Sequence, residues 1–159
     1  MKYFLMFLPL LILTLVIISI SISFLLRSKN TKPASDLSLS NIGPNGYEIP
    51  VAATFRGFIG IPVFVIAHNN AFPKIIIYED HIRFTVIFPF SKKYEDILSV
   101  SIFKMLTGEN AILITFKDSK LTFSAYLPDR ENLKDLIIFL RNKGVAIDTK
   151  AEEFLKTKD

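Results

Sequence analysis

The chain has 159 residues, half of them hydrophobic, with 19 lysines and arginines against 15 acidic residues and no cysteine. The absence of cysteine excludes a disulfide scaffold, a thiol nucleophile and cysteine-ligated metal sites. The net charge of +4 comes from the first 32 residues, which hold four cations and no acid. Because nucleic-acid binding usually needs a clustered cationic surface, this distribution argues against a nucleic-acid partner.

Residues 3–26 form a run of 24 positions without a charged side chain. As a helix, this run would extend roughly 36 Å, which is enough for a hydrocarbon core of about 30 Å. It predicts a transmembrane anchor over residues 1–27, with the lipid bilayer as its partner. A cleaved signal peptide is the alternative, because Ser21 and Ser23 resemble a small-residue cleavage site, although the apolar run is longer than the usual hydrophobic region of a signal peptide.

Three cations, Arg27, Lys29 and Lys32, follow this run, against Lys2 before it. The positive-inside rule then favours a single-pass protein of the inner or plasma membrane with a cytoplasmic C-terminal domain. The same three cations are candidate contacts with anionic lipid headgroups, although ending the helix is a sufficient reason for them.

The region that follows divides by composition into a linker, a domain and a tail. Proline, glycine and serine dominate residues 28–50, which predicts a linker with a short strand near Tyr47. Short apolar runs between turn residues fill residues 51–147 and predict one β-rich domain, with a C-terminal tail over residues 148–159. Pro62 interrupts the first of these runs, which favours an edge strand or a bent first strand there.

Apolar residues at period two predict antiparallel hairpins within this domain. The first hairpin turns at Glu79-Asp80 and the last at Asp118-Ser119, and a hairpin tip at Ser91-Lys92-Lys93 lies between them. The side chains assigned to the inner faces of the middle strand and the last hairpin are Leu98, Val100, Ile102, Ile112, Ile114, Phe116, Leu121 and Phe123.

The period changes to that of a helix after Pro128. Asp129 is the expected N-cap of this helix, and Gly144 is expected to end it. A single amphipathic helix is predicted from the spacing of its apolar stripe. The stripe consists of Leu133, Leu136, Ile137 and Leu140.

Four segments, taken in order, resemble the bacterial branch of the pleckstrin-homology (PH) superfold. They are IIIYEDHIRF at 75–84, KKYEDILSV at 92–100, ILITFKDSKLTFSAYL at 112–127 and RENLKDLIIFLRNKG at 130–144. Bacterial PH-like domains often have a Tyr-x-Asp-Ile-x-x-Val run entering a middle strand, represented here by Tyr94, Asp96, Ile97 and Val100. The resemblance implies a mainly β (α+β) fold, a small antiparallel PH-like barrel closed by one C-terminal amphipathic helix. It also implies binding by loops or a strand edge, without catalysis.

No motif of nucleophilic, phosphate-binding or zinc-dependent catalysis occurs in the sequence. His68 and His81 are the two histidines, and no third ligand follows either at a metal-binding spacing. Glu79 and Asp80 lie next to His81 in the sequence, but neighbouring strand residues point to opposite faces. We therefore predict no catalytic residue, no metal ligand and no cofactor.

Phe88 and Phe90, on either side of a proline, and the tip lysines Lys92 and Lys93 are the domain's candidate contacts with a partner or the bilayer. Core packing of the aromatic rings and solvation of the lysines are the ordinary alternatives. The sequence predicts a membrane-tethered, non-enzymatic bacterial binding or scaffolding module. Its membrane-associated protein partner would be bound at a strand edge or beside the C-terminal helix. The alternative is an exported envelope protein with an extracytoplasmic domain, either anchored or cleaved.

Overall fold

A computed structural model of the chain describes residues 42, 44–59, 61–105 and 107–157. This part folds into nine β-strands and two α-helices. The strands are β1 (Tyr47–Ile49), β2 (Ala53–Phe58), β3 (Ile61–Asn69), β4 (Lys74–Ile77), β5 (His81–Thr85), β6 (Pro89–Lys93), β7 (Ile97–Lys104), β8 (Asn110–Phe116) and β9 (Leu121–Tyr126). The helices are α1 (Arg130–Asn142) and α2 (Thr149–Lys156), and a short 3₁₀ turn at Tyr94–Asp96 precedes β7.

The strands form two antiparallel sheets. One has four strands in the order β1-β4-β5-β6, and the other has five in the order β3-β2-β9-β8-β7. Apolar side chains from both sheets and both helices form one core. The largest fully buried side chains are Phe84, Phe123, Ile49, Ile75, Ile77, Ile82, Ile112, Ile114, Leu133, Leu136, Ile137 and Leu140.

The two hairpins with the clearest sequence alternation are confirmed. In the β4–β5 hairpin Ile77 pairs with Ile82, and the Tyr78 amide donates to the His81 carbonyl at 2.9 Å. In the β8–β9 hairpin Ile114 is the partner of Phe123, and both side chains are fully buried. In the β4–β5 hairpin alternation succeeds because both strands bury one face. In β9 four consecutive residues, Thr122 to Ala125, are buried, so that both faces of this strand are covered.

The predicted amphipathic helix is confirmed as α1. The Asp129 carboxylate accepts from the Glu131 amide at 2.9 Å, as expected of an N-cap, and Gly144 follows the last turn with a φ of +83°. The predicted apolar stripe is buried against the sheets. A second helix, α2, follows, and its N-cap Asp148 accepts from the Ala151 amide at 2.9 Å.

The predicted fold as a whole is wrong, because it combined a transmembrane helix with a small antiparallel barrel whose end is closed by a single C-terminal helix. Over the described residues the strands form two separate sheets with free edges, and two C-terminal helices are present. No helix in this part of the chain is both long enough and apolar enough to cross a membrane. The predicted span at residues 3–26 lies outside the described residues. The resemblance to PH-like domains stays a prediction.

Two local predictions are also wrong. Leu98 is not buried with Val100 but is 50% exposed, because Ile97 and Ser99 pair with consecutive residues of β8 and leave Leu98 as an extra residue in the strand. Such a bulge reverses the alternation of faces at one position. Residues 91–93 are not a hairpin tip but part of β6, and the turn lies earlier, at residues 86–88.

Candidate binding surface

Three chain segments without a charged side chain meet at one end of the two sheets. They are residues 50–55, which lead into and begin β2, residues 69–73, which end β3 and lead to β4, and residues 85–90, around the β5–β6 turn. We call this region the uncharged end. The three segments themselves carry no charge, although Arg56 and Lys74 directly follow two of them. Their exposed apolar side chains make this region the leading candidate for an apolar contact.

Pairing and one side-chain bond bring these segments together. Thr54 pairs with Asn69 across β2 and β3, and the Thr54 hydroxyl donates to the Thr85 carbonyl of the other sheet at 2.7 Å. Thr85 in turn pairs with Lys74 on one side and with Pro89 on the other. The β3–β4 loop and the β5–β6 turn therefore leave the sheets at the same end.

The β5–β6 turn carries the two most exposed large apolar side chains of the described residues. Phe88 is 80% exposed and Ile87 is 64% exposed, whereas the preceding Val86 is buried in the core. We call Ile87 and Phe88 the apolar tip. Because Val86 fixes the turn from behind, the tip projects outward from a packed support.

Phe72, in the neighbouring β3–β4 loop, is 59% exposed. The carboxamide oxygen of Asn69 accepts from the Ala71 amide at 3.0 Å and from the Phe72 amide at 2.9 Å. An asparagine side chain that bonds residues two and three positions later closes a tight turn. This turn sets the backbone of the loop beside the apolar tip.

The structure separates Phe88 from Phe90, which the sequence had grouped as one patch. The Phe90 ring packs at 5.2 Å from Phe84 and 6.1 Å from Phe116, measured between ring centroids. The Arg56 guanidinium lies 4.7 Å above its other side. Phe90 is therefore part of the aromatic layer between the sheets, and Phe88 alone of the two is available to a partner.

The predicted contact lysines lie on β6 and have acidic partners. Lys92 forms an ion pair with Asp118 of the β8–β9 turn, and Lys93 lies 3.4 Å from Glu95. The hydrogen bond from Lys92 holds the pKa of Asp118 below its ordinary value. These contacts connect β6 to neighbouring turns. The other predicted contacts, Arg27, Lys29 and Lys32, lie outside the described residues.

The edge of β3 is a second candidate surface, as the position of Pro62 predicted. Among the described strands, β3 has a neighbour on one side only, and its nine residues include no charged side chain. Ile66, toward its end, is 48% exposed. By contrast, the outer edge of β7 is partly covered, because Val100 exchanges backbone hydrogen bonds with Ala146 and Asp148.

Of the two histidines, His81 lies apart from both candidate surfaces, whereas His68 lies on β3. The His81 imidazole stacks on the Tyr78 ring at 4.4 Å, and its Nδ1 lies 2.7 Å from Asp80. This hydrogen bond lowers the pKa of Asp80. His68 is exposed on β3, opposite Phe55. No three histidine or acidic side chains of the described residues are placed to hold a metal ion.

A cleft of about 140 Å³ lies where the β8–β9 sheet end meets both helices. Its wall includes Glu109, which accepts from the Tyr126 hydroxyl at 2.8 Å, and Arg130, whose guanidinium lies 4.9 Å above the Phe154 ring. Burial, followed by the Glu109 carboxylate, raises the pKa of the Tyr126 hydroxyl. Arg130 also donates to the Thr157 carbonyl at 3.0 Å. These bonds connect parts of the domain to one another, as is typical of a structural contact.

Comparison with known proteins adds no family to these observations. The sequence matches no protein-family model, and no curated protein matches it significantly. The function therefore has to be argued from the two surfaces, the β3 edge and the uncharged end. Ile87 and Phe72 were not predicted from the sequence as surface residues. The absence of charged side chains from all three segments is the sequence feature that could have indicated them.

Proposed function

We propose that this chain is a non-enzymatic binding module held at a membrane, and that it docks an extended segment of a membrane-associated protein along β3. The observation that carries the proposal is the unpaired edge of β3, nine residues long and without a charged side chain. A free strand edge presents a row of backbone donors and acceptors to which another chain can add as a further strand.

The other sheet edges are less suited to strand addition. β1 has only three residues and contains Glu48. β6 begins with Pro89, which lacks an amide hydrogen, and carries Lys92 and Lys93. Proline and lysine are residues that protect an edge from pairing. On β7, the chain around Ile147 already bridges to Val100. Pro62 likewise removes one amide donor near the start of β3, but residues 63–69 contain neither proline nor lysine. This part of the β3 edge therefore favours a partner that contributes a strand.

Membrane attachment follows from the sequence, through the uncharged run at residues 3–26 and the cations that follow it. Residues 27–46 separate the uncharged run from β1 and reach at most about 70 Å when fully extended. Attachment would keep the domain within that distance of the bilayer. It would raise the effective concentration of the domain toward partners in the same membrane.

A photo-reactive residue in place of Ile66 tests the docking site in intact cells. We expect it to form a cross-link with a partner protein, and the cross-linked peptide should map to one continuous segment of that partner. Leu98 is the matched control, because it is equally exposed but lies on β7. Equal cross-linking at both positions, or products that contain only a second copy of this chain, would contradict the proposal.

Substitution then tests whether the edge itself is needed. Ile66→Lys places a charge on the edge and should abolish recovery of the partner identified by cross-linking, whereas Leu98→Lys should leave it unchanged. A C-terminal pair of reporters, one active only in the cytoplasm and one only after export, tests the proposed location. Activity of the export reporter alone would favour the alternative of an envelope protein with an extracytoplasmic domain.

A further inference from the structure

We infer that the apolar tip, Ile87 and Phe88, inserts into the surface of a lipid bilayer together with Phe72 of the neighbouring loop. This inference rests on the proposed membrane attachment and adds a second, direct contact of the folded domain with lipid. The uncharged end would then contact lipid, while a protein partner binds separately along β3.

The shape of the region favours a bilayer over a protein groove at this place. The tip is the turn between β5 and β6, and its two side chains are the most exposed large apolar groups of the described residues. Phe72 lies on the adjacent loop, which leaves the sheets at the same end. Two neighbouring apolar protrusions can enter one lipid surface at the same time, to the depth at which interfacial segments bind.

The contacts of the residues that precede Ile87 and Phe88 favour insertion of the two side chains together. Val86 is buried directly before it, and the Thr85 carbonyl accepts the hydroxyl hydrogen of the buried Thr54. The turn is thereby held to both sheets. A held turn loses little conformational freedom when its side chains enter lipid.

The charge pattern supplies the independent argument. None of the three segments of the uncharged end carries a charged side chain. Two cations directly follow these segments along the chain: Lys74, which lies 3.0 Å from the Glu48 carboxylate, and Arg56, whose guanidinium lies 4.7 Å from the centroid of the Phe90 ring. Protein interfaces tolerate charges at their rim, whereas lipid penalises charged side chains with increasing depth. Three adjoining segments without a charged side chain therefore fit a bilayer surface better than a protein partner.

The chain has neither tryptophan nor cysteine, so a single introduced tryptophan is a unique reporter. We would place Phe88→Trp in the full-length chain, reconstitute it into phosphatidylcholine vesicles, and compare emission with and without lipid brominated on its acyl chains. Leu98→Trp is the control. Leu98 lies at the opposite end of the five-stranded sheet, since Ile97 pairs with Phe116 beside the β8–β9 turn.

We expect Phe88→Trp to emit at shorter wavelength than Leu98→Trp and to lose most of its emission in brominated vesicles, while the control loses little. A chain that floats with the vesicles but shows no greater quenching at position 88 would overturn this inference and leave the membrane attachment standing. A blue-shifted but unquenched tryptophan would place the tip against protein and would also overturn it. A chain that does not float would overturn both.

Discussion

The hydroxyl of Thr54 on β2 donates a hydrogen bond to the main-chain carbonyl of Thr85 on β5, at 2.7 Å, and so joins the two sheets. Thr54 is fully buried although it is polar. A buried hydroxyl is stable in such a place only when its hydrogen bond is made. The bond fixes the β5–β6 turn, and with it the apolar tip, to the five-stranded sheet.

Replacement of Thr54 by valine tests this connection. Thr54→Val keeps the shape of the side chain but leaves the Thr85 carbonyl without this donor, and we expect a loss of about 1–3 kcal/mol in the free energy of unfolding. Urea unfolding in a mild detergent measures it. Thr54→Ser keeps the hydroxyl and serves as the control. If valine were no less stable than serine, the bond between the sheets would not matter for stability.

Substitution of Phe88 and of Phe90 by alanine should have different effects on stability, because the first ring is exposed and the second is packed. Phe90→Ala removes a ring that contacts Phe84 and Phe116 and should cost about 2–3 kcal/mol, since the ring is partly buried. Phe88→Ala should change the free energy of unfolding by less than about 0.5 kcal/mol, because the side chain touches little of its own domain. Thermal or urea unfolding of the two variants checks this contrast. Equal losses would mean that Phe88 is packed in solution.

Ionisation of the Tyr94 hydroxyl should lower the free energy of unfolding at alkaline pH. It donates to the carbonyls of Tyr78 at 2.6 Å and His81 at 3.0 Å, and burial, followed by the negative charge of Asp80, raises its pKa. An unfolded tyrosine ionises near pH 10, about the value at which the unfolded chain begins to hold fewer protons than the folded one. The contribution of the Tyr94 hydroxyl to the free energy of unfolding is therefore complete below about pH 10 and declines above it.

Urea unfolding of the wild type and of Tyr94→Phe across this pH range checks the sign. The wild type should be the more stable protein at neutral pH, by about 1–3 kcal/mol for the lost hydrogen bonds. Its advantage should shrink as the pH rises beyond about 10. An advantage that stayed constant into the alkaline range would show that Tyr94 ionises as easily in the folded chain as in the unfolded one.

Gly46 should resist substitution more strongly than Gly108. Both have positive φ, +73° and +90°, which costs about 1–2 kcal/mol for a residue with a Cβ. At Gly46 a Cβ would also lie 2.7 Å from the Ile76 side chain and 2.9 Å from the Ile77 carbonyl, whereas at Gly108 it would meet open space. Gly46→Ala should therefore lower the melting temperature further than Gly108→Ala. Equal shifts would mean that β1 can move away from β4.

Local patterns predicted the parts of the fold that local interactions determine. The β4–β5 hairpin and the helix after Asp129 follow from alternation, helical spacing and capping within short segments. The exposure of Leu98 could not be predicted, because a bulge depends on how two strands match along their length and has no signature in the apolar pattern.

The arrangement of the strands into two sheets could not be predicted from the sequence for a related reason. β1 pairs with β4, so that Ile49 lies beside Ile75, and β2 pairs with β9. Such pairings join distant parts of the chain, and many strand orders would bury the same alternating faces. Phe90 illustrates the effect on the candidate site, since only the neighbouring sheet, with Phe116, decides that its ring is covered while that of Phe88 is not.

The pairing of Ala53 with Tyr126 also has a consequence for biosynthesis. The ribosome releases β2 and β3 about 50 to 70 residues before β9, the strand that completes their sheet. Until β9 is synthesised, the apolar faces of these two strands remain uncovered. Unpaired strand edges in such an intermediate are prone to associate with other chains. A nascent chain of this protein therefore depends on reaching β9 promptly, and a ribosome stalled before Leu121 would leave a hairpin with no sheet to join.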